Sequence, residues 1–173
     1  MEEISKEVEN AIKEAIKLEI NGRKFFNHAA EITEHETGKK MFRFLAEEEV
    51  KHFETFSNLI SQVLKDDDWK RYIGAEVARD DSPLVDKLQE RMKHAEGKGE
   101  VEALSIGMEL EMNAIQFFQK ALSASDDPDA QKIFRDIIEE EKFHYDLLQA
   151  QYDSIMHSGN WLDSAEFQMD GKW

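Results

Sequence analysis

The residues best placed to do chemistry are two Glu-x-x-His motifs and two further glutamates. Their side chains are those of Glu19, Glu49, His52, Glu111, Glu141 and His144. On a helix, residues three apart lie on one face, so each motif presents a carboxylate and an imidazole side by side. Four carboxylates and two imidazoles together make a ligand set for two metal ions. The pattern therefore predicts a carboxylate-bridged dinuclear metal site.

All six candidate ligands obey one internal repeat. The second motif begins 92 residues after the first, and Glu111 lies 92 residues after Glu19. A gap-free alignment of residues 11–56 with residues 103–148 pairs fourteen identical residues. A single Glu-x-x-His is a weak signal in a glutamate-rich chain, but here chance would have to produce six matched positions together. The repeat predicts two similar helical hairpins.

Helical periodicity places the six residues on four helices. Apolar residues recur every three or four positions through predicted helices at 4–32, 39–64 and 100–124, and through a fourth whose start signal is Asp126-Asp127-Pro128, with Pro in the first turn. The candidate ligands fall within these apolar stripes. Unpaired buried carboxylates are costly and repel one another, whereas two divalent cations would neutralise four of them. Taken singly, a solvated glutamate or a hydrogen-bonded core histidine is the simpler interpretation, but the matched phase of all six favours metal.

The segment between the two hairpins is long enough to cross the bundle. We predict one all-α domain, a four-helix bundle of two repeated helical hairpins with a long crossover connection. The predicted ranges are 1–157 for the bundle, 4–64 and 100–157 for its hairpins, 65–99 for the crossover and 158–173 for a C-terminal tail. Ser82 and Pro83 predict the start of a short helix, to about residue 95, within the crossover. The aromatic residues of the tail predict that it packs on the bundle or on a partner subunit.

The composition limits the possible functions. The formal net charge is −16 and there is no basic cluster, so we expect neither nucleic acid nor an anionic membrane as a partner. We find no apolar run of about eighteen residues and no leader-like segment, and therefore expect a cytoplasmic protein. The chain has no cysteine, which excludes thiol catalysis and thiolate-bound iron. Any metal would be bound by oxygen and nitrogen ligands.

At these residues the chain resembles the rubrerythrin-like (erythrin) branch of the ferritin-like di-iron carboxylate superfamily. In its four-helix bundle, helices one and three carry a Glu and helices two and four carry Glu-x-x-His. The similarity lies in Leu-Glu before Phe-Phe at residues 18–26 and in Glu-Glu-Glu before His at residues 47–52, and it covers nearly the whole chain. Iron-storage ferritins carry the Glu-x-x-His motif once and fit less well.

Three departures limit what the resemblance implies. Rubrerythrins usually have a rubredoxin domain whose cysteines hold one iron, and this cysteine-free chain lacks it. Many members have an additional glutamate one turn beyond the helix-three ligand, which takes part in a redox-linked ligand exchange. Here that position is Ala114, and its repeat mate is Gly22, so this exchange is not implied. Where relatives often have Phe-Tyr, this chain has Phe26 and Phe118, and two hydroxyl groups are missing.

The motifs also suggest how the ligands divide between two ions. We predict that Glu49 and Glu141 bridge, that Glu19 and His52 complete one metal position, and that Glu111 and His144 complete the other. Which terminal glutamate serves which ion depends on helix packing. The ligand types suit two iron ions, with manganese or zinc as alternatives.

With iron bound, the resemblance implies reduction of hydrogen peroxide to water in oxidative-stress defence, using an external, rubredoxin-like electron donor. The candidate proton donors are Glu48, Glu140 and Tyr145. Two alternatives stay open: a ferroxidase that uses oxygen and stores iron, and a metal-stabilised structural bundle without turnover. Because ferritin-like bundles usually associate, we expect a homodimer or a larger homo-oligomer. The four histidines outside the repeat are predicted to lie at the surface: His28, His35, His94 and His157.

Overall fold

The computed structural model describes residues 6–63, 68–79, 82–94 and 99–162. These residues form six helices and no strand. The helices are α1 (Lys6–Ile32), α2 (Glu36–Val63), α3 (Asp68–Ala78), α4 (Pro83–Met92), α5 (Gly99–Ala124) and α6 (Pro128–Ser158). The four long helices α1, α2, α5 and α6 form the bundle, and α3 and α4 belong to the connection between the hairpins. The predicted all-α four-helix bundle is confirmed. No helix among these residues is both long and apolar enough to cross a membrane.

Local sequence signals set both ends of α6. The Asp127 side chain accepts a hydrogen bond from the backbone N–H of Ala130 at 2.8 Å, and Pro128 fills the first turn, where no N–H is needed. At the other end, Gly159 adopts a left-handed conformation with φ of 73° and donates its N–H to the carbonyl of Ile155. The predicted start of this helix after Asp127 is correct.

The buried apolar residues form two clusters, one toward each end of the bundle. The lower cluster includes Ile12, Ile16, Phe56, Ile60, Phe118 and Phe134. The upper cluster includes Phe25, Phe26, Phe42, Leu45, Leu104 and Leu148. The six candidate ligands lie near the boundary between the two clusters. Each fully buried large apolar side chain stabilises the fold by roughly 1.5–3 kcal/mol. The clusters therefore hold the four helices together on both sides of a polar layer that opposes folding.

The order of the clusters along each helix gives its direction. The chain passes from the lower to the upper cluster in α1 and α6, and from the upper to the lower in α2 and α5. Because α2 and α5 run in the same direction, the connection between them must return along the length of the bundle. In α3, Ile73 packs on the lower cluster, and in α4, Leu88 is buried in the upper cluster. The crossover connection therefore passes from one end to the other.

The sequence predicted one of the two helices of the crossover, α4, but not the other, α3. The predicted helix start at Ser82 and Pro83 is correct: α4 begins at Pro83, and the Ser82 side chain accepts from the backbone N–H of Val85 at 3.4 Å. Helix α3 was not predicted, because eleven residues give only a short periodic signal. Its packing on the lower cluster through Ile73 depends on residues distant in sequence. The acidic run at residues 66–68 predicts a solvated turn, but Asp68 is the first residue of α3, and Asp66 and Asp67 lie outside the described residues.

The internal repeat appears in the aromatic packing. Phe26 and Phe42 stack with ring centroids 6.4 Å apart, and their repeat mates Phe118 and Phe134 stack at 6.3 Å. Within each hairpin the adjacent Phe pair also has the same edge-on arrangement, with centroids 5.4 Å and 5.3 Å apart. Equal ring geometry in the two halves indicates that the hairpins share one packing solution.

The described part of the predicted tail packs on the bundle. The indole N–H of Trp161 donates to Glu100 at 3.1 Å, and its ring meets Phe42 edge-on. The buried Gln151 side chain bonds both backbone groups of Leu162. Residues 163–173 lie outside the described residues.

Candidate metal centre

The structure brings the six predicted side chains into one buried layer. None of them is more than 3% exposed. They fall into two overlapping groups whose ligand atoms lie within 4.8 Å of one another. The groups are Glu19, Glu49, His52 and Glu141, and Glu49, Glu111, Glu141 and His144. Glu49 and Glu141 belong to both groups, so their position is the one that bridging carboxylates would take.

The two histidines face the carboxylates through the same ring atom. Nδ1 of His52 lies 3.0 Å from Oε1 of Glu141 and 3.4 Å from Oε2 of Glu19. Nδ1 of His144 lies 3.2 Å from Oε2 of Glu141 and 3.6 Å from Oε1 of Glu111. The two imidazole rings stack with centroids 5.8 Å apart. Each Nδ1 thus points at the Glu141 carboxylate from its own side.

Most of the oxygen and nitrogen atoms of this layer that could bind a metal lack a hydrogen-bond partner among the described residues. Both carboxylate oxygens of Glu19 and of Glu111, Oε1 of Glu49, Oε1 of Glu141 and Nδ1 of His52 are buried without one. Buried polar groups in folded proteins are nearly always satisfied, and leaving a charged one unsatisfied costs several kcal/mol. Carboxylate oxygens and imidazole nitrogens are ligands that suit divalent iron, manganese or zinc, and two of the carboxylates here belong to both groups. The residues present therefore fit a dinuclear metal centre.

Burial and mutual repulsion perturb the acid–base behaviour of the layer. Burial, and then the neighbouring carboxylates, raise the pKa of Glu49 and of Glu111 well above the ordinary 4.5. Burial acts against a charged His52, but hydrogen-bonding carboxylates outweigh it, and the net effect raises the pKa of the imidazole. For Glu141, burial acts in the same direction as for Glu49, but the adjacent Glu111 carboxyl and the two imidazoles outweigh it and lower the pKa of the Glu141 carboxyl. Without a cation, the layer therefore retains protons that metal ions would displace.

The three candidate proton donors occupy different surroundings. Glu140 is 47% exposed on its side chain, and its Oε2 accepts a hydrogen bond from Nε2 of His52 at 2.7 Å. Glu48, which is less exposed, accepts from Lys51 on its own helix. Tyr145 is half-buried beside an open groove between α5 and α6. Glu140 alone of the three bonds directly to a candidate ligand.

A glycine on α1 makes room for one carboxylate. A Cβ atom added at Gly22 would lie 3.1 Å from the carboxylate carbon and from Oε2 of Glu49. That separation is tighter than ordinary van der Waals contact, so any larger residue would press on this side chain. The repeat mate on α5 is Ala114, which already carries a methyl group.

The remaining histidines are not part of the layer. His35, His94 and His157 are exposed, as predicted, and His28 is half-buried. None of them belongs to a cluster of potential ligands among the described residues. The sequence prediction for His28 was therefore only partly correct.

The sequence profile of the rubrerythrin family matches residues 10–152. The chain belongs to the rubrerythrin family. The matched segment contains all six residues of the buried layer, and membership confirms the predicted ferritin-like, all-α fold. Among solved structures, this rubrerythrin-family chain is similar to a hypothetical protein from Pyrococcus furiosus, with 24% identity and a TM-score of 0.62. The similarity covers 86% of this chain and 90% of that protein, and it supports the fold alone. No curated protein matches the chain.

Sequence reasoning missed two features next to the layer. It considered Glu140 as a proton donor but not as the partner of His52, and it gave Gly22 no role. Glu140 directly precedes the second Glu-x-x-His motif, as Glu48 precedes the first, so the acidic residue before each motif was a visible signal. The repeat gives Glu48 and Glu140 equivalent positions in the sequence. The side-chain conformations in the folded protein decide which of them forms a hydrogen bond with a histidine.

Proposed function

We propose that this rubrerythrin-family protein binds two iron ions in the buried layer and reduces hydrogen peroxide to water. The observation that carries the proposal is the convergence of four carboxylates and two imidazoles, which are buried and largely without hydrogen-bond partners in the described part of the chain. Family membership supports the same chemistry. Manganese or zinc would fit the same donors. The proposed ligands are Glu19, Glu49, His52, Glu111, Glu141 and His144.

The ligands divide as the two groups of the layer do. Glu49 and Glu141 would bridge, because each has oxygens within reach of both groups. Glu19 and His52 would complete one position, and Glu111 and His144 the other. A bound pair of ferrous ions would supply the two electrons that break the O–O bond of peroxide. The protein holds the donors in place through two apolar clusters, so the carboxylates need no large rearrangement to bind metal.

Reduction of hydrogen peroxide to two waters also consumes two protons. Glu140 is the half-exposed group that reaches the layer, since it bonds to His52 on one side and meets solvent on the other. It is therefore the first of the three candidates to test as a proton relay. The electrons must be replaced after each cycle, and we propose an external donor of the rubredoxin kind. We also propose that the protein works as a homodimer or larger homo-oligomer.

Anaerobic reconstitution followed by stopped-flow absorbance tests the proposed function. The protein is loaded with two equivalents of ferrous iron and mixed with hydrogen peroxide or, separately, with oxygen. We expect rapid two-electron oxidation by peroxide, a slower reaction with oxygen, and no iron uptake beyond two ions per chain. Fast oxygen consumption with continuing iron accumulation would instead identify a ferroxidase. Inertness toward both oxidants in a metal-loaded protein would identify a structural bundle.

Two glutamates of α6 provide a matched pair for this experiment. Glu141 is buried in both groups of the layer, whereas Glu139 is exposed and pairs with Lys142 at the surface. We expect Glu141→Gln to lose bound iron and the peroxide reaction, and Glu139→Gln to retain both. Equal activity of the two variants would contradict the assignment of the layer as the reacting centre.

A further inference from the structure

The two histidines of the layer differ in their contacts with residues outside it, although the proposed ligands are the same in both halves. Nε2–H of His52 donates to Oε2 of Glu140 at 2.7 Å, and this bond joins α2 to α6. The repeat mate of Glu140 is Glu48, which would occupy the corresponding place beside His144. Glu48 instead accepts a hydrogen bond from Lys51, one turn along α2. Two halves with the same ligands thus differ in what stands behind each histidine.

The bond from His52 to Glu140 has a direct chemical consequence. In the neutral imidazole that binds a cation, a proton held on Nε2 leaves the lone pair on Nδ1, the atom that faces Glu19 and Glu141 at 3.4 Å and 3.0 Å. A carboxylate that accepts from the far nitrogen of a ligating imidazole also fixes the ring orientation and makes the ligand more basic. The Glu140 side chain lies between His52 and solvent, since it is half-exposed while the histidine is buried. The arrangement prepares His52 to bind a cation.

His144 has no such support among the described residues. Its Nδ1 faces Glu111 and Glu141, and no carboxylate bonds to its Nε2 in this part of the chain. Its ring instead packs edge-on against Phe44 and Phe143, with centroids 6.2 Å apart in each pair. Aromatic neighbours restrict the ring sterically, but they do not select its tautomer or raise its basicity.

We infer that the two metal positions are unequal and that Glu140 is a positioning residue that makes the Glu19–His52 position the tighter one. The inference rests on the proposed metal centre and adds an order to it. The first cation to bind occupies the position completed by Glu19 and His52. The second occupies the position completed by Glu111 and His144, where the imidazole is not oriented by a carboxylate.

Titration with Co²⁺ tests the inference without any turnover, because its absorption bands report the coordination of each ion. We expect the unmodified protein to take up two Co²⁺ in two resolved steps, measured against a competing chelator. Glu140→Gln, which keeps the shape and removes the charge, should weaken the tighter step roughly 10- to 100-fold and shift its bands. Glu140→Ala should do at least as much. Glu48→Gln, the matched control, should leave both steps unchanged.

Variants in which one of the two metal positions is disabled show which binding step depends on Glu140. Glu111→Gln removes a ligand of the His144 position, and Glu19→Gln removes one of the His52 position. Adding Glu140→Gln should weaken Co²⁺ binding in the Glu111→Gln background and leave it unchanged in the Glu19→Gln background. Equal effects in both backgrounds, or an equal effect of Glu48→Gln, would overturn the inference while the metal centre stands. Failure of the unmodified protein to bind two Co²⁺ would overturn the metal centre itself.

Discussion

At the residue scale, Gly22 lowers the intrinsic stability of α1 but leaves space for the Glu49 carboxylate. Gly in a helix interior costs up to about 1 kcal/mol relative to Ala, yet a methyl group here would lie 3.1 Å from the Glu49 carboxylate. We expect Gly22→Ala to leave the free energy of unfolding of the metal-free protein within about 1 kcal/mol. It should weaken the proposed metal binding about tenfold, because Glu49 must move away from its place in the buried layer. Thermal unfolding and Co²⁺ titration measure the two effects.

Gly74 is the control for that substitution. It lies in α3, and a Cβ atom added there would have no atom within 4 Å. Gly74→Ala should therefore gain the helix propensity without changing metal binding. If the two alanine variants bind Co²⁺ equally well, then Gly22 is not required for the position of Glu49.

Glu49 itself carries a prediction about charge. Its raised pKa means that the folded protein without metal keeps a proton that the unfolded chain releases above about pH 4.5. Stability is therefore lost as pH rises from 4.5 toward the folded pKa. A glutamine cannot ionise, so Glu49→Gln should stabilise the metal-free protein, and by more at pH 8 than at pH 5. Urea unfolding at the two pH values measures this, and a gain that does not grow with pH would contradict the shift. The same variant should lose metal binding.

At the scale of the element, the start of α6 matters because this helix carries both Glu141 and His144. The Asp127 side chain satisfies the N–H of Ala130 at 2.8 Å. Removing such an N-cap costs about 0.5–2 kcal/mol. We expect Asp127→Ala to lower the free energy of unfolding by that amount in urea denaturation. Asp126→Ala, at the exposed neighbour, should have no comparable effect.

The cap of α4 offers a graded comparison. The bond from Val85 to Ser82 is longer, at 3.4 Å, than the bond from Ala130 to Asp127. Ser82→Ala should therefore cost less than Asp127→Ala, since hydrogen bonds weaken beyond about 3.2 Å. The opposite order in the same denaturation series would show that the Ser82 cap contributes more to stability than the Asp127 cap, against their bond lengths.

At the scale of the whole molecule, the proposed metal binding should be coupled to folding and to pH. Above about pH 4.5 the metal-free protein holds protons on Glu49 and Glu111 that the unfolded chain has released, because the pKa of each carboxyl is raised in the folded state. Above about pH 6.5, His52, with its raised pKa, adds a third such proton, whereas Glu141 is ionised in both states across this range. The metal-free protein should therefore lose stability as pH rises. Metal binding displaces the same protons and should become tighter.

The measurable consequence is a difference between two melting temperatures. Calorimetry with and without excess Mn²⁺ should show a stabilisation by metal that grows from pH 5 to pH 8. Inclusion of a chelator should abolish the difference at every pH. A stabilisation that stays constant with pH would show that metal binding releases no protons, which contradicts the raised pKa values of the buried carboxylates.

Sequence alone determined the identity of the polar layer and the class of the fold. Helical periodicity and a constant offset of 92 residues can be read directly from the chain, so they predicted four long helices, the six residues of the buried layer and the helix starts at Pro83 and Pro128. The tertiary structure decided what depends on contacts between distant elements. These are the packing of α3 on the lower cluster, the direction of the crossover connection, and the contact of Trp161 with Phe42. The tertiary structure also gave Glu140, but not its repeat mate, a histidine to bond, because equal sequence spacing does not fix unequal side-chain surroundings.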